Sequence, residues 1–290
     1  MFRFIDAEKA NYPVRMMCRL LGVSPSGYYA WVLRPMSTRE LQDQMLLVLV
    51  KESHERSRNT YGSPRIHADL TDAGIGIGRK RVARLMCRAG IRGAYRRRRH
   101  KTTFRDGTAP AADLVNRQFK ASEPNKLWVA DIKQIDTGEG PLYLAALQDV
   151  FSRPVVGWSM RENLQTPIVV DALEMAYRSR RPTGVIHHSD QGCQYTSIAF
   201  GRAAARAGID LSMGSVGDCF DNALAESLWA TLDRDLLSQM TLRTRAEART
   251  AIFDYIEGFY NPHRRHSALG YKSPATFEEA WRAANVVEAA

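Results

Sequence analysis

Cysteine is scarce and scattered in this chain. Cys18, Cys87, Cys193 and Cys219 form no CxxC pair, which excludes a zinc finger and a disulfide framework. Such spacing reads as reduced, mostly buried thiols. No apolar run approaches the ~18 residues that a membrane helix requires, and the opening MFRFIDAEKA has no signal-peptide core. A cytoplasmic protein with no membrane partner is therefore expected. Internal repeats and low-complexity tracts are absent. Acidic residues are short in the first part of the chain: residues 1–120 hold 24 Lys and Arg against 10 Asp and Glu, whereas residues 121–290 hold 17 against 21. The net charge of +10 thus sits in the N-terminal part, and a polyanion held mainly there is the natural reading.

At 290 residues the chain is long enough for two or three domains. Residues 14–33 read as helix, turn, helix: Gly22 breaks the first segment, and Ser24 followed by Pro25 supplies an N-cap and a first-turn proline for the second. A long helix is expected over 39–56, with Leu41, Met45, Val48 and Leu49 on its apolar face. Two further helices follow, one from Tyr61 through Leu70 and one over 78–89. The last carries Arg79 and Lys80 at its start and Arg81, Arg84 and Arg88 on one face, a suitable surface for duplex DNA. Beyond it Arg96, Arg97, Arg98, Arg99 and Lys101 form a basic tract that would track phosphates without reading sequence.

From about residue 123 the pattern changes. Short apolar runs at 128–135, 142–150 and 154–160 suit a three-strand meander. They are followed by a helix over 166–179, strand 185–188, helix 197–207, strand 209–212 and helix 221–237. After residue 244 the chain returns to helix, with Ile252, Tyr255, Ile256 and Phe259 as a buried stripe, and a short helix closes it at 275–284. The organisation expected is an N-terminal helical region with helix-turn-helix (1–60), a second helical DNA-binding segment and basic linker (61–120), an α/β core (121–240) and a helical C-terminal segment (241–290).

Within the core, Asp131 lies inside a strand-like run, where an unpaired carboxylate is costly unless a cation meets it. Asp190 follows the apolar run ending in His187 and His188, and Glu226 lies on a later helix, with 35 residues between the two. Three such carboxylates offer hard oxygen ligands for Mg²⁺ or Mn²⁺, the ions that phosphoryl transfer uses in pairs. Asn222 falls one helical turn before Glu226, and His188 and Gln194 flank Asp190. Each of the three is a supporting candidate, with local hydrogen bonding as the competing role. Asp149, before a turn, and Asp221, at a helix start, read as structural.

The spacing is a D,D-35-E pattern. Together with HHSDQGCQYTS, GDCFDNALAESLWATL and YIEGFYNPHRRHSALGYKSP, it resembles the catalytic subunit (OrfB) of frameshifting insertion-sequence transposases with a retroviral-integrase-like core. The likeness runs from VSPSGYYAW to SPATF. It implies a ribonuclease-H-like fold with a mixed five-stranded sheet, helical regions before and after it, and a helix-turn-helix at 14–33. It also implies Asp131, Asp190 and Glu226 as metal-holding catalytic residues, with Asp131 shared between two ions, and 3′-end cleavage followed by strand transfer. The expected partners are the element's terminal inverted repeats, target DNA, further copies of the chain on DNA, and an upstream helix-turn-helix product or fusion, in the bacterial cytoplasm at the nucleoid. Arg264 and Arg265, in the HRRH stretch, are expected to touch DNA; HRRH does not fit the HxxR box of a tyrosine recombinase. A regulator with weakened catalysis, or a ribonuclease-H-like nuclease that cuts without joining, are the alternatives. Departures from the family pattern are Lys133 and Gln134 for the usual Thr and Tyr, Gln191 and Cys193 for Arg and Ser, and Asp233 for a Lys that would meet DNA. An unrelieved Asp233 would repel the DNA end, with Lys133 and Arg234 as the nearest compensating bases.

Overall fold

The structure, a computed structural model, describes residues 1–95, 120–214 and 223–288. Three short helices open the chain: α1 (Phe2–Glu8), α2 (Val14–Leu20) and α3 (Pro25–Val32). The Ser24 hydroxyl caps α3 by accepting from the Gly27 N–H at 3.0 Å. These helices close on a small core of Ile5, Met17, Cys18 and Tyr28. Next come α4 (Thr38–Arg56), α5 (Ser63–Asp72) and α6 (Arg79–Arg88). A reciprocal capping box between Ser37 and Glu40 starts α4.

The sheet is built from β1 (Leu127–Thr137), β2 (Gly140–Asp149), β3 (Val155–Arg161), β4 (Ile186–Ser189) and β5 (Asp210–Met213), in the order β3-β2-β1-β4-β5. The first three form the expected antiparallel meander, while β4 and β5 add in parallel beside β1. Helices α7 (Pro167–Arg180) and α8 (Ile198–Arg206) supply the crossovers, as parallel pairing requires. Alternation along β1 divides its side chains: Trp128 and Ala130 join the core with α7 and α8, whereas Ile135 joins a second core on the opposite face. Gly157 on β3 allows α7 its close approach, since a Cβ there would stand 2.3 Å from the Ala172 carbonyl oxygen.

The second core is the larger, and it does not follow the sequence divisions. Val50 of α4, Ile66 and Leu70 of α5 and Val82 and Leu85 of α6 pack with Leu142 and Leu144 of β2. Trp229 and Leu232 of α9 (Ala223–Asp235) and Ile252 and Tyr255 of α10 (Arg245–Tyr255) share the same core. The packing unit containing α5 and α6 therefore begins at α4, not at residue 61, and includes the segment after residue 241. A single π-helical turn, Ile256–Tyr260, extends α10. Phe259 and Tyr260 of this turn both lie in this core. A final helix, α11 (Pro274–Glu288), ends the described chain.

Two expectations are corrected here. On α4 the face drawn from Leu41, Met45 and Val48 lies outward, with Met45 72% exposed, while Asp43, Val50 and Ser53 are buried. Residues 45–50 of the helix are apolar without a break, so periodicity could not choose a face there; polar partners do. Arg81 of α6 takes Asp43 inward, and Asp69 of α5 accepts from the Ser53 hydroxyl at 2.6 Å. Of the cysteines, Cys18 is buried but Cys87 and Cys193 are exposed, and Cys219 lies outside the described residues.

Candidate functional site

The parallel register between β1 and β4 pairs Val129 with His188. Two residues further along each chain come Asp131 and Asp190, so the strands deliver both carboxylates to the same level of the sheet. Beyond the end of β4, the Gly192 N–H donates to Asp190 Oδ1 at 3.1 Å. A Cβ on Gly192 would stand 3.1 Å from both that oxygen and Gln194 Oε1, so the turn leaves little room for a side chain. Asp131 and Asp190 face one cleft of about 230 Å³, whose walls include Gln134, Tyr143, Leu164, Gln194 and Tyr195.

Asp131 is held on both oxygens. Its Oδ1 accepts from the Ile132 N–H at 2.7 Å and its Oδ2 from the Trp229 indole N–H at 2.8 Å. Burial nevertheless pushes its carboxyl up to about 6, and the charges of Asp190 and Glu226 push the same way. The Trp229 bond ties α9 to β1. Glu226, three residues earlier, is exposed near the start of that helix, directly after the undescribed residues 215–222. Among the described residues no three His, Cys, Asp or Glu stand close enough to hold a metal ion. The donor chemistry fits a divalent cation all the same: hard oxygens only, and a carboxylate whose ionisation its acidic neighbours oppose, a conflict that a bound cation relieves.

The supporting candidates separate. His188 is buried in the sheet, its Nδ1 3.0 Å from the Ser212 hydroxyl, and it is not among the cleft walls. Gln194 does line the cleft, with its amide donating to the Leu164 carbonyl at 3.0 Å. Asn222 and Asp221 lie outside the described residues. Asp149 is the structural carboxylate expected, accepting from the Asn125, Phe151 and Ser152 N–H groups.

Several basic residues assigned to DNA are paired with acids of the protein. Arg81, Arg84 and Arg88 converge on the single carboxylate of Asp43, at 2.7, 3.0 and 3.7 Å. Their shared face packs on α4 instead of standing free, although one acid balances only one of the three charges. Arg79 and Lys80 are exposed. Arg264 is corrected outright. It is 2% exposed, with its Nε 2.5 Å from Asp235 Oδ2 at the end of α9. Arg265 bridges to α5 through Asp69 at 2.5 Å and to Asp72 at 2.6 Å. Both are struts between the C-terminal segment and the rest of the fold. Arg96, Arg97, Arg98, Arg99 and Lys101 fall outside the described residues. Asp233 is not unrelieved: of the two bases expected to compensate it, Lys133 does so, its Nζ 3.0 Å away, and the two departures from the family pattern neutralise each other across β1 and α9. Arg234 is taken by Asp235 at 2.8 Å.

Comparison with known proteins agrees with this architecture. The family described as integrase core domain matches residues 121–219 and, through a second family of the same description, residues 207–274; an HTH-like domain matches residues 40–99. The chain is 42% identical over 91% of its length to an uncharacterised 31 kDa protein of insertion element IS600 from Shigella sonnei, covering 98% of that protein. It is 35% identical over 98% of its length to the transposase of insertion sequence IS629 from the same organism, covering 97% of it. The chain belongs to the insertion-sequence transposases with an integrase core. In this transposase family member the HTH-like match falls on α4–α6 and not on the α2–α3 hairpin, where the resemblance alone would put it. Among solved structures, the HTLV-2 integrase catalytic core domain in complex with magnesium is similar with a TM-score of 0.41 and 17% identity, over 55% of this chain and 99% of that one.

Sequence reasoning does not mark Trp229 as the donor to Asp131. It misses Tyr195, Asp43 and Asp235 entirely.

Proposed function

We propose that the chain is a DDE transposase that frees the 3′ ends of an insertion sequence and joins them to target DNA, using Asp131, Asp190 and Glu226 to hold two Mg²⁺ or Mn²⁺ ions. The observation that carries this reading is the pairing of Asp131 and Asp190 in one cleft, with the Glu226 helix tied to Asp131 through Trp229. Bound divalent cations would supply charge neutralisation at the scissile phosphate and activation of the attacking hydroxyl. The protein's own part is positional. Gly192 fixes the Asp190 carboxylate, the Trp229 indole and the Ile132 N–H fix Asp131, and the short turn around Gly192 keeps the cleft open to a phosphodiester. The positive surplus of the first 120 residues, including Arg79, Lys80 and the 96–101 tract, grips the DNA backbone. Several copies act together on the terminal inverted repeats, with an upstream helix-turn-helix product or fusion as a further partner, on nucleoid DNA in the bacterial cytoplasm.

The test is a strand-transfer assay on duplexes carrying the ends of the encoding element, with Mg²⁺ or Mn²⁺. Asp131→Asn, Asp190→Asn and Glu226→Gln should each abolish cleavage and joining while retaining DNA binding. Near-normal joining by any one would remove that residue from the site. Cutting without joining would make the chain a nuclease, and binding alone a regulator.

A further inference from the structure

The Tyr195 hydroxyl bonds to no group among the described residues. The residue is 2% exposed, and its ring packs against Phe200 edge-on at 5.5 Å and against His187 at 5.7 Å. Its phenol oxygen is buried with no hydrogen-bond partner among the described residues. Such an orphan is costly in a packed interior, where buried polar atoms are nearly always satisfied. A phenylalanine would fill the same aromatic cluster without that cost. The side chain lines the cleft that Asp131 and Asp190 face. Burial, Asp131 and Asp190 all oppose its ionisation and keep the phenol protonated well above its ordinary range. An O–H donor beside two carboxylates, bonded to neither, is suited to an anion that enters from outside.

We propose that the Tyr195 hydroxyl donates a hydrogen bond to a non-bridging oxygen of the phosphodiester seated between Asp131 and Asp190, orienting it for attack. This rests on the transposase reading above and adds to it a contact from the opposite face of the sheet to Trp229. The turn that carries Asp190 also carries Tyr195, whose N–H donates to the Gly192 carbonyl at 3.0 Å. One short stretch thus presents an acid for the cation and a donor for the phosphate. The donor adds no positive charge, so the cleft's affinity for a cation is preserved.

Tyr195→Phe removes only the hydroxyl. Its single-turnover joining rate on the element's own end duplexes should fall by about ten- to a hundred-fold, the range for removing one hydrogen bond to a charged group. Its melting temperature should be no lower than that of the wild type, because the missing group had no partner; a merely structural tyrosine would melt lower. Wild-type joining should differ between the two phosphorothioate diastereomers at the scissile phosphate, and that difference should shrink in Tyr195→Phe. Joining by the wild type and its abolition in Asp131→Asn carry the transposase reading. An unchanged rate in Tyr195→Phe beside those two results overturns the role of the hydroxyl alone.

Discussion

Replacing Arg264 by Met tests whether the HRRH stretch touches DNA or holds the fold. In the structure its guanidinium meets Asp235 with both side chains 2% exposed. Asp235 also accepts from the Tyr255 hydroxyl at 3.2 Å and from Arg234. Burial raises the Asp235 carboxyl, but Arg264 and Arg234 outweigh it and hold the group below its ordinary value. Arg264→Met strands that charge with a half-buried Arg234 and one hydroxyl, and breaking a buried pair from one side costs ~3–5 kcal/mol. Against a typical total of ~5–15 kcal/mol, this is a large part of the stability. Urea unfolding followed by circular dichroism should read it directly. Arg264→Met with Asp235→Leu should recover most of the stability, since neither charge is then buried alone. Because the folded carboxyl lies below its unfolded value of about 3.8, its stabilising share is present above that pH and disappears as pH falls through the folded value. A phosphate contact gives the opposite pattern: stability within ~0.5 kcal/mol of wild type and a salt slope of binding shallower by about 0.9. That outcome would refute the strut.

Lys133→Ala should cost under ~1 kcal/mol of stability, since Asp233 is half exposed. It should weaken end binding, because Asp233 is then unpaired beside the DNA, and Lys133→Ala with Asp233→Ala should restore much of that affinity; equal titration curves for all three proteins would place the pair away from DNA. His187 is held down to about 3 by burial, so the unfolded chain takes a proton below about 6.5 that the folded chain refuses. Stability should fall by up to ~1.4 kcal/mol per pH unit from this residue as pH drops from 6.5 towards 3, and His187→Phe should flatten that slope in acid denaturation; an unchanged slope would contradict its burial as neutral imidazole. His266, pushed down to about 2 by burial and then by Arg264, adds a second contribution of the same sign that His187→Phe leaves in place. Changing Arg96, Arg97, Arg98 and Arg99 together to Gln should make the slope of log K against log salt shallower by about 0.9 for each phosphate that the tract no longer neutralises; an unaltered slope would remove the tract from the DNA interface.

The strand meander, the order of later elements and the two aspartates are legible because each rests on local pattern. Alternation marks β1 to β3, and the apolar run ending at Ser189 marks β4 and the acid after it. What escapes depends on partners distant in sequence. Arg264 looks like a surface base because nothing nearby announces Asp235, 29 residues earlier on another helix. The apolar side of α4 is misread for the same reason: Asp43 is buried by arginines 38 to 45 residues away. For Asp233 the sequence offers two compensating bases, Lys133 and Arg234, and only the packing of α9 on β1 chooses Lys133 while Asp235 takes Arg234. The π-helical turn after Tyr255 leaves no signature in hydrophobic spacing, since Ile252, Tyr255, Ile256 and Phe259 fit an unbroken α-helix equally well.

The larger core, in which α4 to α6 interleave with β2, α9 and α10, bears on how such elements diversify. A DNA-reading module on its own stable core could be traded between relatives by recombination near residue 120. Here a crossover at that point would bring together two half-cores shaped in different lineages, Val50, Ile66 and Leu85 from one parent and Leu142, Trp229 and Ile252 from the other. The chimera would inherit new DNA contacts together with mismatched packing beneath the Glu226 helix. Changes in DNA contacts in this lineage should therefore accumulate by substitution on exposed positions of α4 to α6, with the buried positions of both halves drifting in step.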